Sequence, residues 1–133
     1  MSVRVLAPGT AAGPALVLDE PLSLWGGLDP ATGTVIEKRH PQHGATVTGQ
    51  VLVMPGARGS SSSASVLVEA VRARTAPAGI VLGEPDLILA IGAAVAEELY
   101  DVQLPILVVS LEELARIGPG DPVRIGPEGL TSP

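Results

Sequence analysis

The sequence predicts a single α/β domain, and three observations lead to this class. Hydrophobic residues make up 46% of the 133 residues and charged residues 17%, which is enough apolar material for a buried core. Short apolar runs separated by glycine and proline fill the first half, whereas strand and helix patterns alternate in the second half. Because 133 residues is a usual length for one domain, we expect residues 1–133 to fold as a unit.

The first half is predicted to contain strands and turns. Strand-like apolar runs lie at residues 3–7, 15–18, 33–37 and 50–54. Residues 24–30, with the sequence LWGGLDP, are predicted to form an irregular loop because a Gly-Gly pair and a proline interrupt any regular pattern.

The second half is predicted to alternate helices with strands, as in a βαβαβ unit. Helices are expected at residues 61–74 and 86–100, strands at 78–82 and 106–109, a helical turn at 111–117 and a last strand at 123–125. In the second helix, apolar side chains recur at i, i+4 spacing, at Leu87, Ile91, Val95 and Leu99. Gly92 lies in the same segment and is unfavourable for a helix.

The charge and the cysteine content exclude several classes of function. The net charge is −6 and no run of lysine or arginine is present, so we expect no nucleic-acid partner. The longest apolar window, residues 87–95, is too short to cross a bilayer, and the first residues lack a signal-peptide pattern. We therefore expect a cytoplasmic protein with no membrane partner. Without cysteine the chain cannot hold a thiolate-bound cluster, and we expect no metal site in it.

The junction between the strand at 50–54 and the helix at 61–74 is the strongest candidate site. Its sequence, PGARGSSSSASVLV at residues 55–68, places Arg58 and four consecutive serines where the helix starts. Ser60 or Ser61 is predicted to cap the helix, whose free N–H groups and positive dipole end favour an anion. The alternative is a Gly/Ser linker between domains. A linker needs a domain on each side, whereas 133 residues are about the length of a single domain.

Ser60 is the candidate proton acceptor of this junction. A serine hydroxyl is a poor base at neutral pH, so its alkoxide must be stabilised. Arg58 two residues earlier and the start of the helix supply the positive charge for that purpose. No Gly-x-Ser-x-Gly elbow is present, although a triad with the distant His40 stays open.

The two histidines, His40 and His43, lie three residues apart in a loop that contains proline and glycine. A metal site would need a third ligand such as Asp29 or Glu37, and the spacing matches no specific metal signature. We therefore interpret this segment as a solvated or interface loop.

Four blocks of the sequence resemble the small subunit of aconitase X. They are PLSLWGGLDPATG at residues 21–33, HP at 40–41, GARGSSSS at 56–63 and GAAVAEEL at 92–99. The blocks span nearly the whole chain, and the order of the tryptophan-containing and serine-containing blocks makes the resemblance fairly specific.

The resemblance implies an aconitase-like swivel domain, a compact β/β/α unit that closes over a larger catalytic partner. The larger subunit of that family carries the cysteines that hold an iron–sulfur cluster, so this chain is expected to bind none alone and to act as half of a heterodimer or higher assembly. By similarity Ser60 is the catalytic base, and Arg58, Gly59 and Ser61 bind the substrate anion. Exposed apolar side chains at Leu22, Leu24 and Trp25 are our hypothesis for the partner interface.

Enzymes of this family are dehydratases, that is hydro-lyases, of small hydroxy acids. The two substrates that the resemblance implies are cis-3-hydroxy-L-proline, which gives 1-pyrroline-2-carboxylate, and mevalonate 5-phosphate. The serine run followed by ASVLVE at residues 64–69 favours the hydroxyproline branch and leaves the phosphomevalonate branch as the alternative.

Two other classes of protein share features with this sequence. The tail at residues 104–125 is similar to the end of mobile phosphohistidine domains, but Gly26 and Gly27 are followed by LDPA, which lacks the required histidine. A non-catalytic anion-binding or interaction module of the same fold stays open.

Overall fold

A computed structural model of the chain describes residues 3–58 and 60–132. The strands within these residues are β1 (Arg4–Ala7), β2 (Ala11–Val17), β3 (Leu28–Asp29), β4 (Thr34–Val35), β5 (Val51–Met54), β6 (Gly79–Leu82), β7 (Ile106–Val108), β8 (Pro122–Gly126) and β9 (Gly129–Thr131). The helices are α1 (Leu24–Gly27), α2 (Ser63–Ala73), α3 (Leu87–Tyr100) and α4 (Leu111–Leu114). The first of these, α1, is a kinked turn.

The main sheet is mixed, with a parallel centre and antiparallel edges. Seven strands follow the order β1-β7-β6-β5-β2-β8-β9 within the described residues. The pairs β2–β5, β5–β6 and β6–β7 are parallel, whereas β1, β8 and β9 pair antiparallel to their neighbours. The predicted α/β class is therefore confirmed, because β5, α2, β6, α3 and β7 form the βαβαβ unit.

The two faces of the sheet carry separate apolar cores. Along β5, Leu52 and Met54 point into the core that contains α2 and α3, whereas Val51 and Val53 point into the core on the opposite face. This alternation is the two-residue period of a strand covered on both sides. The centre of the sheet is therefore a rigid base from which the loops at its edge extend.

Helix α3 is confirmed, but its i, i+4 stripe is not the face that packs on the core. The stripe is exposed, with fractions of 66% for Leu87, 58% for Ile91 and 61% for Leu99. The buried positions of the helix are Leu89, Gly92, Ala93 and Ala96. The reason is the close approach to α2, since a Cβ on Gly92 would lie 3.1 Å from the carbonyl oxygen of Ala64. Gly92 is thus a packing requirement of this helix.

Several short elements differ from the sequence prediction. The run at 15–18 belongs to a longer strand, β2, which pairs with both β5 and β8. The predicted strand at 33–37 is reduced to the two residues of β4, paired with β3. None of the helices within the described residues is long and apolar enough to cross a membrane.

Candidate functional site

The candidate site lies at the edge of the sheet where the parallel strands end. Strand β5 continues into residues 55–62, which we call the serine loop, and its neighbour β2 leads toward residues 22–25, which we call the tryptophan segment. Because β2 and β5 are adjacent and parallel, the chain that follows each of them emerges at the same edge. The topology therefore brings two of the sequence blocks together.

The serine loop presents its candidate residues to solvent. Arg58 and Ser61 are exposed and Ser60 is half-buried. Gly59, the fourth residue assigned to the site, lies outside the described residues. A guanidinium and two hydroxyls on one short loop can bind a carboxylate or a phosphate.

The start of α2 differs from the predicted cap. The N-cap position is Ser62, so the expectation that Ser60 or Ser61 occupies it is wrong. Ser60 Oγ instead accepts a hydrogen bond from the Ser62 N–H at 3.2 Å. The N–H of Ser63 donates to the Ser60 carbonyl at 2.9 Å and that of Ala64 to the Ser61 carbonyl at 3.4 Å. These three N–H groups are used within the turn. The Arg58 side chain and the serine hydroxyls are therefore the remaining groups of this loop that could bind an anion.

The hydrogen bond from the Ser62 N–H affects how easily the Ser60 hydroxyl forms its anion. A hydrogen bond that is donated to Oγ stabilises the anionic form of the hydroxyl more than the neutral form. The positive end of the α2 dipole acts in the same direction. The local arrangement is therefore compatible with Ser60 as a proton acceptor.

The tryptophan segment lies directly against the serine loop. Leu22 forms a parallel bridge with Ala57, and the Leu22 carbonyl accepts from the Arg58 N–H at 3.3 Å. Leu22 and Leu24 are 0% and 1% exposed, because they fill the core below the loops. The hypothesis that both contribute to an exposed interface is therefore wrong, whereas Trp25 is 60% exposed.

His40 is buried, so the interpretation as a solvated loop is wrong for this residue and holds for the exposed His43. Its Nδ1 accepts from the Gln42 N–H at 3.0 Å, and its Nε2 lies 3.0 Å from the carbonyl oxygen of Glu20. A neutral ring protonated on Nε2 satisfies both contacts. Both nitrogens are thus engaged by backbone groups, which leaves neither for a triad with Ser60.

Glu84 is a residue at this edge that the sequence analysis missed. It follows β6, the neighbour of β5, and its carboxylate lies so close to Gly56 that a Cβ there would overlap with it. Its position in the sequence could have revealed it, because Glu84 comes two residues after the predicted strand at 78–82. Side chains that follow neighbouring parallel strands lie at the same edge of the sheet. The site therefore contains an exposed carboxylate beside Gly56 of the serine loop.

The described residues contain no group of three or more His, Cys, Asp or Glu side chains that could hold a metal ion. The chain also has no cysteine. Its residues therefore do not fit an iron–sulfur cluster, and we assign no step to a cluster on this chain.

A mixed α/β sheet with an exposed serine loop at one edge has the architecture of a swivel domain. The family model described as the aconitase X swivel domain matches residues 1–131. The chain belongs to this family, and the resemblance drawn from the sequence blocks is confirmed.

Known proteins of two kinds are similar to this chain. A cis-3-hydroxy-L-proline dehydratase of Pseudomonas aeruginosa is 48% identical over 103 residues, which are 77% of this chain and 18% of that protein. A phosphomevalonate dehydratase small subunit of Methanothermobacter thermautotrophicus is 44% identical over 93 residues, 70% of this chain and 71% of that one. The chain thus corresponds to less than a fifth of the Pseudomonas relative.

The fold also agrees with an experimental structure. The crystal structure of the holo form of Thermococcus kodakaraensis aconitase X superposes with a TM-score of 0.87 at 27% identity, over 98% of this chain and 95% of that chain. The swivel-domain fold expected from the sequence is therefore confirmed.

Proposed function

We propose that this chain is the small swivel subunit of a two-part hydro-lyase that dehydrates cis-3-hydroxy-L-proline to 1-pyrroline-2-carboxylate. The observation that carries the proposal is the 48% identity to the Pseudomonas dehydratase of that name. Residues 1–133 act as one domain, and a larger subunit supplies the iron–sulfur cluster and most of the remaining site. The name "small subunit" of the archaeal relatives supports such a partner. The cytoplasmic location stays a prediction.

In the proposed reaction Ser60 accepts a proton and Arg58 binds the substrate carboxylate. Ser60 Oγ accepts the proton from C2, next to the carboxylate, and the electron pair of that C–H bond forms the C2=C3 double bond. The C3–O bond breaks with its electron pair, and the departing hydroxide takes up the proton that the Ser60 alkoxide accepted, so that one water leaves and the alkoxide is restored. The resulting enamine tautomerises to the cyclic imine. Arg58 pairs with the substrate carboxylate and stabilises the negative charge that develops as the proton leaves. Gly59 and Ser61 complete the contacts to this anion.

Glu84 supports an amino acid as the substrate. Cis-3-hydroxy-L-proline carries a secondary ammonium group beside its carboxylate, and the exposed carboxylate of Glu84, beside Gly56 of the serine loop, provides the opposite charge for it. A phosphate-bearing substrate would meet repulsion from the same group.

Mevalonate 5-phosphate is the second candidate substrate. The 44% identity to the Methanothermobacter small subunit, over 71% of its length, favours this alternative. Arg58 suits a phosphate as well as a carboxylate. A third class, a non-catalytic interaction module of this fold, predicts no turnover of either compound.

The proposal is tested by anaerobic dehydration assays on this chain co-produced with a cysteine-containing larger subunit. Cis-3-hydroxy-L-proline and mevalonate 5-phosphate are offered in parallel, and we expect turnover of the first. Turnover of mevalonate 5-phosphate alone would transfer the assignment to the second candidate. An assembled, cluster-loaded complex that turns over neither would refute both substrates, and failure to assemble would favour the interaction module.

Replacement of Arg58 by lysine is expected to lower kcat/KM in the assembled enzyme. Lysine keeps the charge but loses the forked geometry, so roughly one charge-assisted hydrogen bond of about 1.5–3 kcal/mol is lost, equivalent to roughly ten- to hundredfold. Steady-state kinetics measure the effect, and Arg116→Lys is the matched control because that side chain is 72% exposed beside α4. Unchanged kinetics in Arg58→Lys would remove Arg58 from the site.

A further inference from the structure

Ser63 is a buried hydroxyl that the proposed reaction does not use. It is the fourth serine of the run and the first residue of α2, and it is 2% exposed. A buried hydroxyl is unfavourable unless it is hydrogen-bonded, so its partner identifies its role.

That partner is the tryptophan segment, far away in the sequence. Ser63 Oγ accepts a hydrogen bond from the backbone N–H of Trp25 at 3.2 Å, across 38 residues of chain. The Trp25 carbonyl in turn accepts from Ser23 Oγ at 3.1 Å. The backbone of Trp25 is therefore held on both sides, although its indole is 60% exposed.

The tryptophan segment also contacts the part of the serine loop that precedes Ser60. Leu22 pairs with Ala57, and its carbonyl accepts from the Arg58 N–H at 3.3 Å. The tryptophan segment thus contacts the chain on both sides of Ser60, in the serine loop before it and at Ser63 of α2 after it. Removing either contact leaves the tryptophan segment bonded to the chain on only one side of Ser60.

The residues just before the tryptophan segment are hydrogen-bonded to the loop that contains His40 and Gln42. His40 contacts the Glu20 carbonyl, and the amide of Gln42 forms two 2.9 Å hydrogen bonds with Asp19, one from the Asp19 N–H and one to its carboxylate. The chain that enters the segment is therefore fixed to a second loop. A fixed segment can hold the serine loop in place.

We propose that Ser63 is a positioning residue: its hydrogen bond to Trp25 closes a clamp that holds Arg58 and Ser60 at the geometry the reaction needs. This inference rests on the proposed function. A loop clamped at both ends keeps the proton acceptor in register with its substrate, and a displacement of about 1 Å costs on the order of a hundredfold in rate.

The experiment compares Ser63→Ala with Ser65→Ala, an exposed serine two residues later on the same helix. Amide hydrogen exchange of Trp25 is measured by NMR on the full chain, and kcat and KM on the assembled enzyme. In Ser63→Ala we expect Trp25 exchange to be roughly tenfold faster. We expect kcat to fall roughly ten- to hundredfold with KM changed less, because the acceptor is displaced. Ser65→Ala should resemble the wild type in both readouts.

Each outcome separates the clamp from the proposed function. Unchanged Trp25 exchange in Ser63→Ala overturns the clamp. Faster exchange with wild-type kcat overturns the positioning role. If the assembled wild type dehydrates neither substrate, the proposed function fails, while faster exchange confined to Ser63→Ala still supports the clamp itself.

Discussion

Ser60→Ala is expected to lower kcat of the assembled enzyme severely while leaving the fold intact. Loss of a positioned general base lowers kcat by about 10²–10⁴-fold. The structural cost is small, because Ser60 is half-buried and the hydrogen bond that its Oγ accepts from the Ser62 N–H is worth about 1 kcal/mol. The measurement is steady-state dehydration by complexes matched for assembly and cluster content.

The control for this prediction is Ser65→Ala, an exposed serine on α2. It should keep wild-type kcat, and both variants should co-purify with the larger subunit. Near-wild-type kcat in Ser60→Ala would remove Ser60 as the proton acceptor and leave the loop with a binding role alone.

Leu89→Ala is expected to have the largest effect on stability. Leu89 is 0% exposed on the face of α3 that packs on the main core, and truncation of a buried leucine costs about 2–5 kcal/mol. Leu87→Ala, two residues away on the same helix and 66% exposed, should change stability by less than about 0.5 kcal/mol. Urea unfolding of the isolated chain gives both values.

This pair of variants tests the orientation of α3 directly. The i, i+4 stripe in the sequence contains Leu87 and omits Leu89, so a core formed by the stripe would reverse the two results. An equal loss in both variants would mean that the helix packs differently from the structure, and it would place Gly92 away from α2.

The elements with strong periodicity were predictable from the sequence. The order of β5, α2, β6, α3 and β7 is confirmed, because the three strands are short apolar runs next to glycine or proline and the two helices are the longest segments between them. The two-residue strands β3 and β4 and the kinked turn α1 were not predictable as such. A two-residue strand has no periodicity, and it forms because its partner is nearby.

The candidate site was predictable only in its contiguous part. Arg58, Ser60 and Ser61 are neighbours in the sequence, so their presence on one loop needs no tertiary information. Glu84 was missed because its closeness to Gly56 depends on the pairing of β5 with β6. Their roles in the reaction stay predictions until the kinetics are measured.

The α/β class, the family and the loop that carries the candidate chemistry are encoded in local patterns and contiguous motifs of the sequence. Which side chains are buried and which distant segments meet depends on the tertiary structure. It buried Leu22, Leu24 and His40, turned the α3 stripe outward, and joined Trp25 to Ser63. The physical reason is strand adjacency: β2 and β5 pair in parallel, so the chain after each emerges at the same edge, although 38 residues separate the two groups that bond there.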